Sequence, residues 1–191
     1  MSQINRYLFK VTFFLPQDMA KLRKFVCYRR LKRPNTRKSK YRRKSFVRGG
    51  PVCRIVKFNV GNLTSNFAYR LDLETKQDMQ VRDNALESAR VTTNRTMEKA
   101  IGKSGFRLQV RVYPHHVLRE HALATGAGAD RFSSGMAHSF GKPAGNAAQL
   151  RKGQKVLSLF VNEANIVLAR KAFTKSNHKL PFKTSISVNK L

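Results

Sequence analysis

The chain has 191 residues, of which 41% are hydrophobic, so it is long and apolar enough to build a core, and disorder throughout is excluded. It carries 39 Lys and Arg against 10 Asp and Glu, a formal net charge of +29. Charge of this density repels itself in a compact free protein and favours a polyanionic partner, with RNA or DNA the first candidate. An anionic membrane surface is the weaker alternative, because no stretch approaches the ~20 apolar residues of a spanning helix.

The cysteine content and the N-terminal segment favour a cytoplasmic setting. Only Cys27 and Cys53 occur, so no disulfide framework is needed, although one bridge stays open. The apolar segment Tyr7–Leu15 is interrupted by Lys10 and lacks a small-residue cleavage site after it, so no signal peptide is predicted.

A basic arm precedes the predicted fold. No acidic residue lies between Asp18 and Asp72, and the densest part, Arg29–Lys44, has almost nothing apolar to bury. We expect such a segment to stay disordered until a counter-charge neutralises it, and then to fold along phosphates.

The first predicted elements are two strands. Cys53–Val60 and Phe67–Leu73 are rich in β-branched and aromatic residues. The dipeptide Gly61-Asn62 between them is typical of a turn, which favours a hairpin.

A helix is predicted from Asn84, which forms a capping-box pattern with Glu87, to Gly102, which ends the run. The residues of its expected buried face recur at helical spacing: Leu86, Ala89, Thr93, Met97 and Ile101. The other faces carry basic residues, among them Arg90 and Arg95, which an RNA-binding face or a merely solvated face explains equally.

The later elements complete an α+β fold. Phe106–Tyr113 alternates strictly and ends at Pro114, which predicts a half-buried strand with a basic outer face. A strand over Lys155–Val161, a second helix over Glu163–Asn177 and an alternating strand over Phe182–Val188 follow. The second helix offers four residues to the core: Val167, Leu168, Ala172 and Phe173. This order predicts a two-layer sandwich of two helices on one mostly antiparallel sheet.

Between these strands, Glu120–Ala148 is dominated by Ala, Gly and Ser and predicts a long loop. Its small residues permit close approach of the backbone to a ligand, and Arg119, Arg131 and Lys142 can contact phosphates. An RNA-facing loop is therefore favoured over a linker.

Catalytic and metal motifs fail on inspection. Gly102-Lys103-Ser104 resembles the end of a P-loop, but Met97 stands where that motif needs glycine. The Gly126–Arg131 string lacks the third glycine of a dinucleotide fingerprint. The acids of the loop region, Glu120 and Asp130, are more simply partners of arginines than a catalytic pair. Neither cysteine nor histidine spacing fits a zinc module, the histidines concerned being His115, His116, His121 and His138.

Several long ordered strings carry a family resemblance. They are Gln80-x-Arg82-x-x-Ala85-Leu86-Glu87-x-Ala89-Arg90-x-x-x-Asn94-Arg95, Tyr113-Pro114-His115-His116-Val117-Leu118-Arg119-Glu120, Ala124-Thr125-Gly126-Ala127-Gly128-Ala129-Asp130-Arg131 and Phe140-Gly141-Lys142-Pro143. The chain resembles the archaeal and eukaryotic form of universal large-subunit ribosomal protein sixteen, also called ribosomal protein L ten e. The resemblance runs from about Met19 to the C-terminus, so the chain divides into an extension over 1–18 of undecided status, an arm over 19–50 and a domain over 51–191.

The resemblance implies a structural constituent of the large ribosomal subunit, bound near the peptidyl transferase centre and supporting aminoacyl-tRNA positioning. It implies no enzyme activity and no cofactor. The implied partners are large-subunit ribosomal RNA, tRNA in the assembled ribosome and neighbouring ribosomal proteins, with no membrane and no homo-oligomer. The residues expected to hold ribosomal RNA are Arg29, Arg30, Lys32, Arg33, Arg37, Lys38, Lys40, Arg42, Arg43, Lys44, Arg48, Arg82, Arg90 and Arg95. Those expected nearest tRNA are Arg119, Gly126, Gly128, Asp130, Arg131 and Lys142.

Two other classes stay open at this point. A free-standing RNA-modifying enzyme would need a cofactor or metal motif, which we do not find. A DNA-compacting protein would bind any duplex equally.

Overall fold

The computed structural model describes residues 24–31, 34–37, 39–44, 51–121, 123, 126–131 and 134–191. Its strands are β1 Asn59–Gly61, β2 Tyr69–Thr75, β3 Met79–Arg82, β4 Arg107–Val110, β5 His116–Glu120, β6 Lys142–Leu150, β7 Lys155–Val161 and β8 Thr184–Lys190. Its α-helices are α1 Asp83–Ile101 and α2 Ile166–Asn177. Short 3₁₀ helices lie at Phe25–Cys27, Arg42–Lys44, Ala129–Arg131, Gly135–His138 and Glu163–Asn165.

The strands form two antiparallel sheets, which confirms the α+β class. The five-stranded sheet has the order β1-β4-β7-β2-β8, and the three-stranded sheet has the order β3-β6-β5. The expectation of one sheet is therefore wrong. The second sheet uses β6, which lies in the stretch predicted as loop. We expected the small residues of this stretch to indicate a loop. Ala147 and Ala148 are instead buried, where their small side chains permit close packing.

The predicted hairpin between the first two strands is also wrong. β1 pairs with β4, placing Asn59 opposite Gln109, while β2 lies between β7 and β8. Residues 51–58 precede β1 and run along α1 instead, where the backbone N–H of Arg54 donates to the Asp83 carboxylate at 3.1 Å. A local turn signal did not decide this pairing, because the partners come from distant parts of the chain.

The main core lies between the helices and the five-stranded sheet. Helix α2 packs on β2, β7 and β8, and α1 packs on α2 and contacts β3 and β6. The largest fully buried side chains include Phe106 and Phe173, each contributing roughly 1.5–3 kcal/mol by leaving water. The predicted alternation in β4 is confirmed, since Leu108 and Val110 are buried. Val167 was wrongly predicted to reach the core and is 79% exposed.

Helix α1 ends as predicted, but its start differs from the predicted capping box. In the first turn, the carboxylate of Asp83 accepts from the backbone N–H of Asn84 at 2.9 Å, and the side chain of Arg82, at the N-cap position, makes no capping hydrogen bond. Glu87 does not reach back to Asn84. The end is confirmed: Gly102 has a φ of +72°, a conformation that glycine adopts without strain, and its N–H donates to the carbonyl of Glu98.

The face of β2 opposite the core holds a buried carboxylate. Asp72 accepts from the hydroxyl of Ser158 at 2.6 Å, from Lys155 Nζ at 2.8 Å and from Arg70 Nε at 3.0 Å. Burial raises the pKa of Asp72, but the hydrogen bonds from Lys155 and Ser158 and the charge of Arg70 outweigh it, so the pKa lies below its ordinary value. The outer face is therefore joined by ionic contacts between neighbouring strands.

Candidate nucleic-acid interface

The basic arm is attached to the three-stranded sheet. Strand β5 is an edge of that sheet. The backbone N–H of Asn35 donates to Nδ1 of His116 at 2.7 Å, and the N–H of Val117 donates to the Asn35 carbonyl at 2.7 Å. The arm thus covers part of an exposed strand edge. The order expected of the arm only on a counter-charge stays a prediction, and these contacts give Asn35 a protein partner as well.

A second attachment is built around Tyr28. Its ring is 9% exposed and packs with Leu118 in a small core that also contains Ala147. The Tyr28 hydroxyl donates to Glu120, and its backbone carbonyl accepts from the side-chain amide of Gln80 at 2.8 Å. The arm therefore contributes a buried side chain to the domain.

Arg82 joins this attachment. Its guanidinium carbon lies 4.2 Å from the centre of the Tyr28 ring, and Nη2 lies 4.0 Å from Glu120. The side chain is only 13% exposed. Arg82, expected to hold RNA, thus also stacks the arm onto the sheet.

Two arginines converge on the ring of Phe140. The guanidinium carbon of Arg119 lies 4.2 Å from the ring centre, and that of Arg37 lies 5.7 Å from it. A cleft of about 660 Å³ opens here, lined by Pro34, Asn35, Thr36, Arg37, Arg42, Arg119 and Phe140. We call it the Phe140 cleft. It joins the arm, β5 and the segment before β6, and it places three guanidinium groups on one concave surface.

The loop between β5 and β6 is the tip of a hairpin. It ends at Gly141, and the Lys142–Ala148 part of the predicted loop is strand. A Cβ on Gly141 would lie 2.8 Å from the carbonyl carbon of Glu120, so only glycine fits where the two arms of the hairpin meet. The imidazole Nε2 of His121 donates to the carbonyl of Gly135 at 2.8 Å and closes the base of the loop.

At the tip, glycines hold turns that other residues rarely adopt. Gly126 and Gly128 have φ values of +134° and +76°. Their carbonyls accept from the backbone N–H groups of Ala129 and Arg131, at 3.2 and 3.1 Å. The side chain of Arg131 is exposed, as is that of Lys142 at the start of β6. The tip therefore presents its backbone and the cation of Arg131 outwards, and Lys142 adds a second exposed cation where the loop joins β6.

The other predicted RNA-binding residues divide by exposure. Those exposed are Arg29, Arg30, Arg37, Lys40, Arg42, Arg43 and Arg95. Lys32, Arg33, Lys38, Arg48 and the side chains of Lys44 and Asp130 lie outside the described part of the chain.

Arg90 differs from the rest of the set, since it is 8% exposed. Its Nη2 and Nε lie 2.5 and 2.8 Å from the carboxylate oxygens of Glu87. The hydrogen bond from Arg90 lowers the pKa of Glu87, and the same bond raises the pKa of Arg90. Arg90 is therefore already held by a carboxylate of its own helix.

Sequence reasoning missed the residues that assemble the site. Tyr28, Asn35 and His116 were assigned no role in RNA binding, and Phe140 was named only within a string that carries the family resemblance. Glu120 was expected to partner an arginine, and Arg82 lies within reach of it. Tyr28 and Glu120 are 92 positions apart, so only the folded chain shows their contact.

The described residues bring together no group of three His, Cys, Asp or Glu side chains suited to a metal ion. Cys53 is a free thiol, and burial raises its pKa. Neither α1 nor α2 is long and apolar enough to cross a membrane.

The attachment at His116 predicts a pH dependence. Burial lowers the pKa of His116, and the positive charge of Arg119 lowers it further. Nδ1 must be unprotonated to accept from Asn35. Docking should thus be complete above the ordinary pKa of about 6.5 and should weaken as the pH falls through the lowered value, by about 1 kcal/mol for one hydrogen bond.

The measurement is the amide resonance of Asn35, followed by NMR from pH 7.5 to pH 5. A His116→Phe variant, which has no acceptor, should show no such titration. A resonance that stays fixed in the unaltered chain throughout this range would contradict the role of His116.

Comparison with known proteins gives one family. The model for ribosomal protein L16p/L10e matches residues 33–187. The large ribosomal subunit protein uL16 of Methanococcus aeolicus is 42% identical over 169 residues, covering 88% of this chain and 95% of the relative. The protein of the same name from Archaeoglobus fulgidus is 41% identical over 163 residues, covering 85% and 90%. That from Methanospirillum hungatei is 42% identical over 154 residues, covering 81% and 91%.

Proposed function

The chain belongs to the ribosomal protein L16p/L10e family, and from this membership we propose that it is a structural constituent of the large ribosomal subunit. It works in the cytoplasm, in the ribosome, where ribosomal RNA and neighbouring ribosomal proteins are its partners. It binds by charge and shape and catalyses no reaction. The observation that carries the RNA-binding part is the Phe140 cleft, where Arg37 and Arg119 converge on one aromatic ring.

The cleft suits the phosphate backbone of folded RNA. A guanidinium that stacks on a ring keeps its N–H groups directed outwards, where they can form paired hydrogen bonds to phosphate oxygens. Arg42 lines the same concave surface, so three cations can neutralise phosphates that lie close together. Displacement of the counterions condensed on the RNA then drives binding.

The remaining exposed cations extend this surface along the arm and over α1. We include Arg29, Arg30, Lys40, Arg43 and Arg95 in it; Arg82, whose side chain is only 13% exposed beside Tyr28, borders this surface. We leave out Arg90, because an RNA phosphate would have to displace Glu87 from its guanidinium.

The tip of the β5–β6 hairpin is proposed to face tRNA near the peptidyl transferase centre. Its glycines permit close approach to another backbone, and Arg131 and Lys142 supply charge. Arg119 lies one residue before the loop end of β5 and links the loop to the Phe140 cleft. The pairing of β6 with β3 holds the hairpin to the rest of the three-stranded sheet.

Salt dependence tests the electrostatic part. With ~8 phosphates neutralised, the logarithm of affinity for a ribosomal RNA fragment should fall against the logarithm of salt with a slope of about −6 to −7. The measurement is filter binding or fluorescence anisotropy at several salt concentrations. The double variant Arg37→Gln with Arg119→Gln should flatten the slope by about 2.

A matched control separates the cleft from general charge. Lys171→Gln with Lys175→Gln removes two charges from exposed positions of α2 and should alter the slope less. A nearly flat slope, or equal binding to duplex DNA of the same length, would count against the proposal. So would failure of the chain to co-sediment with large ribosomal subunits after a moderate salt wash.

A further inference from the structure

An exposed aromatic ladder lies on the side of the fold that β4 forms with the segment before β1. The rings of Phe58 and Tyr113 are stacked, with centroids 5.4 Å apart and planes at 21°. The ring of His115 lies 4.6 Å from that of Tyr113, tilted by 47°. Tyr113 is 49% exposed and His115 is also exposed, whereas Phe58 is half-buried against the core. The ladder is thus packed against the core at Phe58 and exposed to solvent at Tyr113 and His115.

The backbone holds the ladder in place. The N–H of Val110 donates to the Phe58 carbonyl at 2.7 Å, which aligns the segment before β1 with β4. The N–H of Arg111 donates to the carbonyl of Val156 in β7 at 2.9 Å, which extends the contact with β7 beyond the end of β4. The N–H of His115 donates to the Tyr113 carbonyl at 3.1 Å, across the buried Pro114. The rings are therefore positioned before any ligand binds.

Cations flank the ladder in the sequence. Arg54 and Lys57 lie in the segment that carries Phe58, Arg111 precedes Tyr113 by two positions, and all three are exposed. Arg111 and Tyr113 are exposed on either side of the buried Val112. An exposed aromatic surface beside cations fits nucleotides: rings stack on bases while cations meet phosphates. A hydrophobic partner protein would instead leave these cations buried without counter-charge.

We propose that Phe58, Tyr113 and His115 form a stacking site for an unpaired nucleobase of RNA, which extends the ladder at its open end beside Tyr113 and His115. This inference rests on the proposed function. It adds a site that distinguishes unpaired from paired nucleotides, whereas the Phe140 cleft binds the charged phosphate backbone. Every base has a π-face, so the site accepts any of the four bases. It prefers bulged or looped nucleotides to paired ones, because only an unpaired base is free to stack on the rings.

The test uses the full chain and two RNA duplexes of equal length, one of them with a single bulged 2-aminopurine. The unaltered chain should bind the bulged RNA about tenfold more tightly than the paired one, and stacking should quench the 2-aminopurine fluorescence. Tyr113→Ala should remove both the preference and the quenching. Tyr113→Phe keeps a ring and should retain both.

Two further variants separate stacking from folding. Tyr113→Leu keeps an apolar contact on Phe58 without a ring and should behave as Tyr113→Ala does, with an unaltered unfolding temperature. Val56→Ala removes another exposed apolar side chain, two positions from Phe58, and should retain the preference.

Two results would overturn the inference: equal affinity of the unaltered chain for both RNAs, or a preference that survives in Tyr113→Leu. In either case, steep salt dependence of binding to both RNAs would leave the proposed function standing.

Discussion

Tyr28→Ala is expected to detach the arm from the three-stranded sheet while the main core stays folded. The change removes a buried ring, its hydroxyl bond to Glu120 and the stacking of Arg82. Loss of such an aromatic side chain costs about 3 kcal/mol. Hydrogen exchange at the amide of Val117 is the direct readout, because that amide donates to the Asn35 carbonyl. Its exchange should accelerate roughly a hundredfold.

Variants of graded severity make this result specific. Tyr28→Phe removes only the hydroxyl and should cost about 1 kcal/mol. Tyr41→Ala changes a tyrosine of the same arm that is 63% exposed and should leave Val117 protected. RNA affinity should fall with Tyr28→Ala, because Arg37 would no longer be held against Phe140. Unchanged protection of Val117 in Tyr28→Ala would show that other contacts hold the arm.

Elements that depend on local periodicity were predictable from the sequence. Strand β7 was predicted at its observed bounds, and α1 was predicted to within one residue at each end. In β4, alternation identified both the buried and the outer face. These patterns lie within one segment, so no knowledge of distant partners is needed to recognise them.

Strand pairing was not predictable in the same way. The hairpin between the first two predicted strands was a local inference, whereas β1 pairs with a strand about fifty positions away. Strand β6 was mistaken for loop because Ala, Gly and Asn have low strand propensity. Its burial between β3 and β5 outweighs that propensity. Contacts made at long sequence separation leave no periodic signal.

The candidate site was predictable in charge but not in construction. Arg37 and Arg119 were both expected to contact nucleic acid, one from the composition of the arm and the other from the loop. The sequence did not indicate that they meet on Phe140, since the three residues come from separate segments. The composition predicted a loop here, the family resemblance assigned it to tRNA, and that tRNA-facing role stays a prediction.

Removing Gly126–Arg131 should separate this tRNA-facing role from folding. The backbone hydrogen bonds described for this segment stay within it, and the hairpin below is held by the pairing of β5 with β6 and by His121 on Gly135. Shortening a loop of this length changes the closure entropy by well under ~1 kcal/mol. The free protein should therefore unfold cooperatively at nearly the same temperature.

Large subunits that contain the shortened chain should nevertheless bind tRNA at least tenfold more weakly or mature incompletely, since a hairpin tip acts by its position. Arg131→Lys keeps the charge and loses only the planar, bidentate contact to phosphate, so it should be milder than the deletion. The measurements are paired: thermal unfolding of the free protein, and tRNA binding with peptide synthesis by reconstituted subunits. Unfolding of the free protein would assign the segment to the core. Normal activity of these subunits would contradict the tRNA-facing role, because loss of the tip would then have no effect on tRNA binding or peptide synthesis.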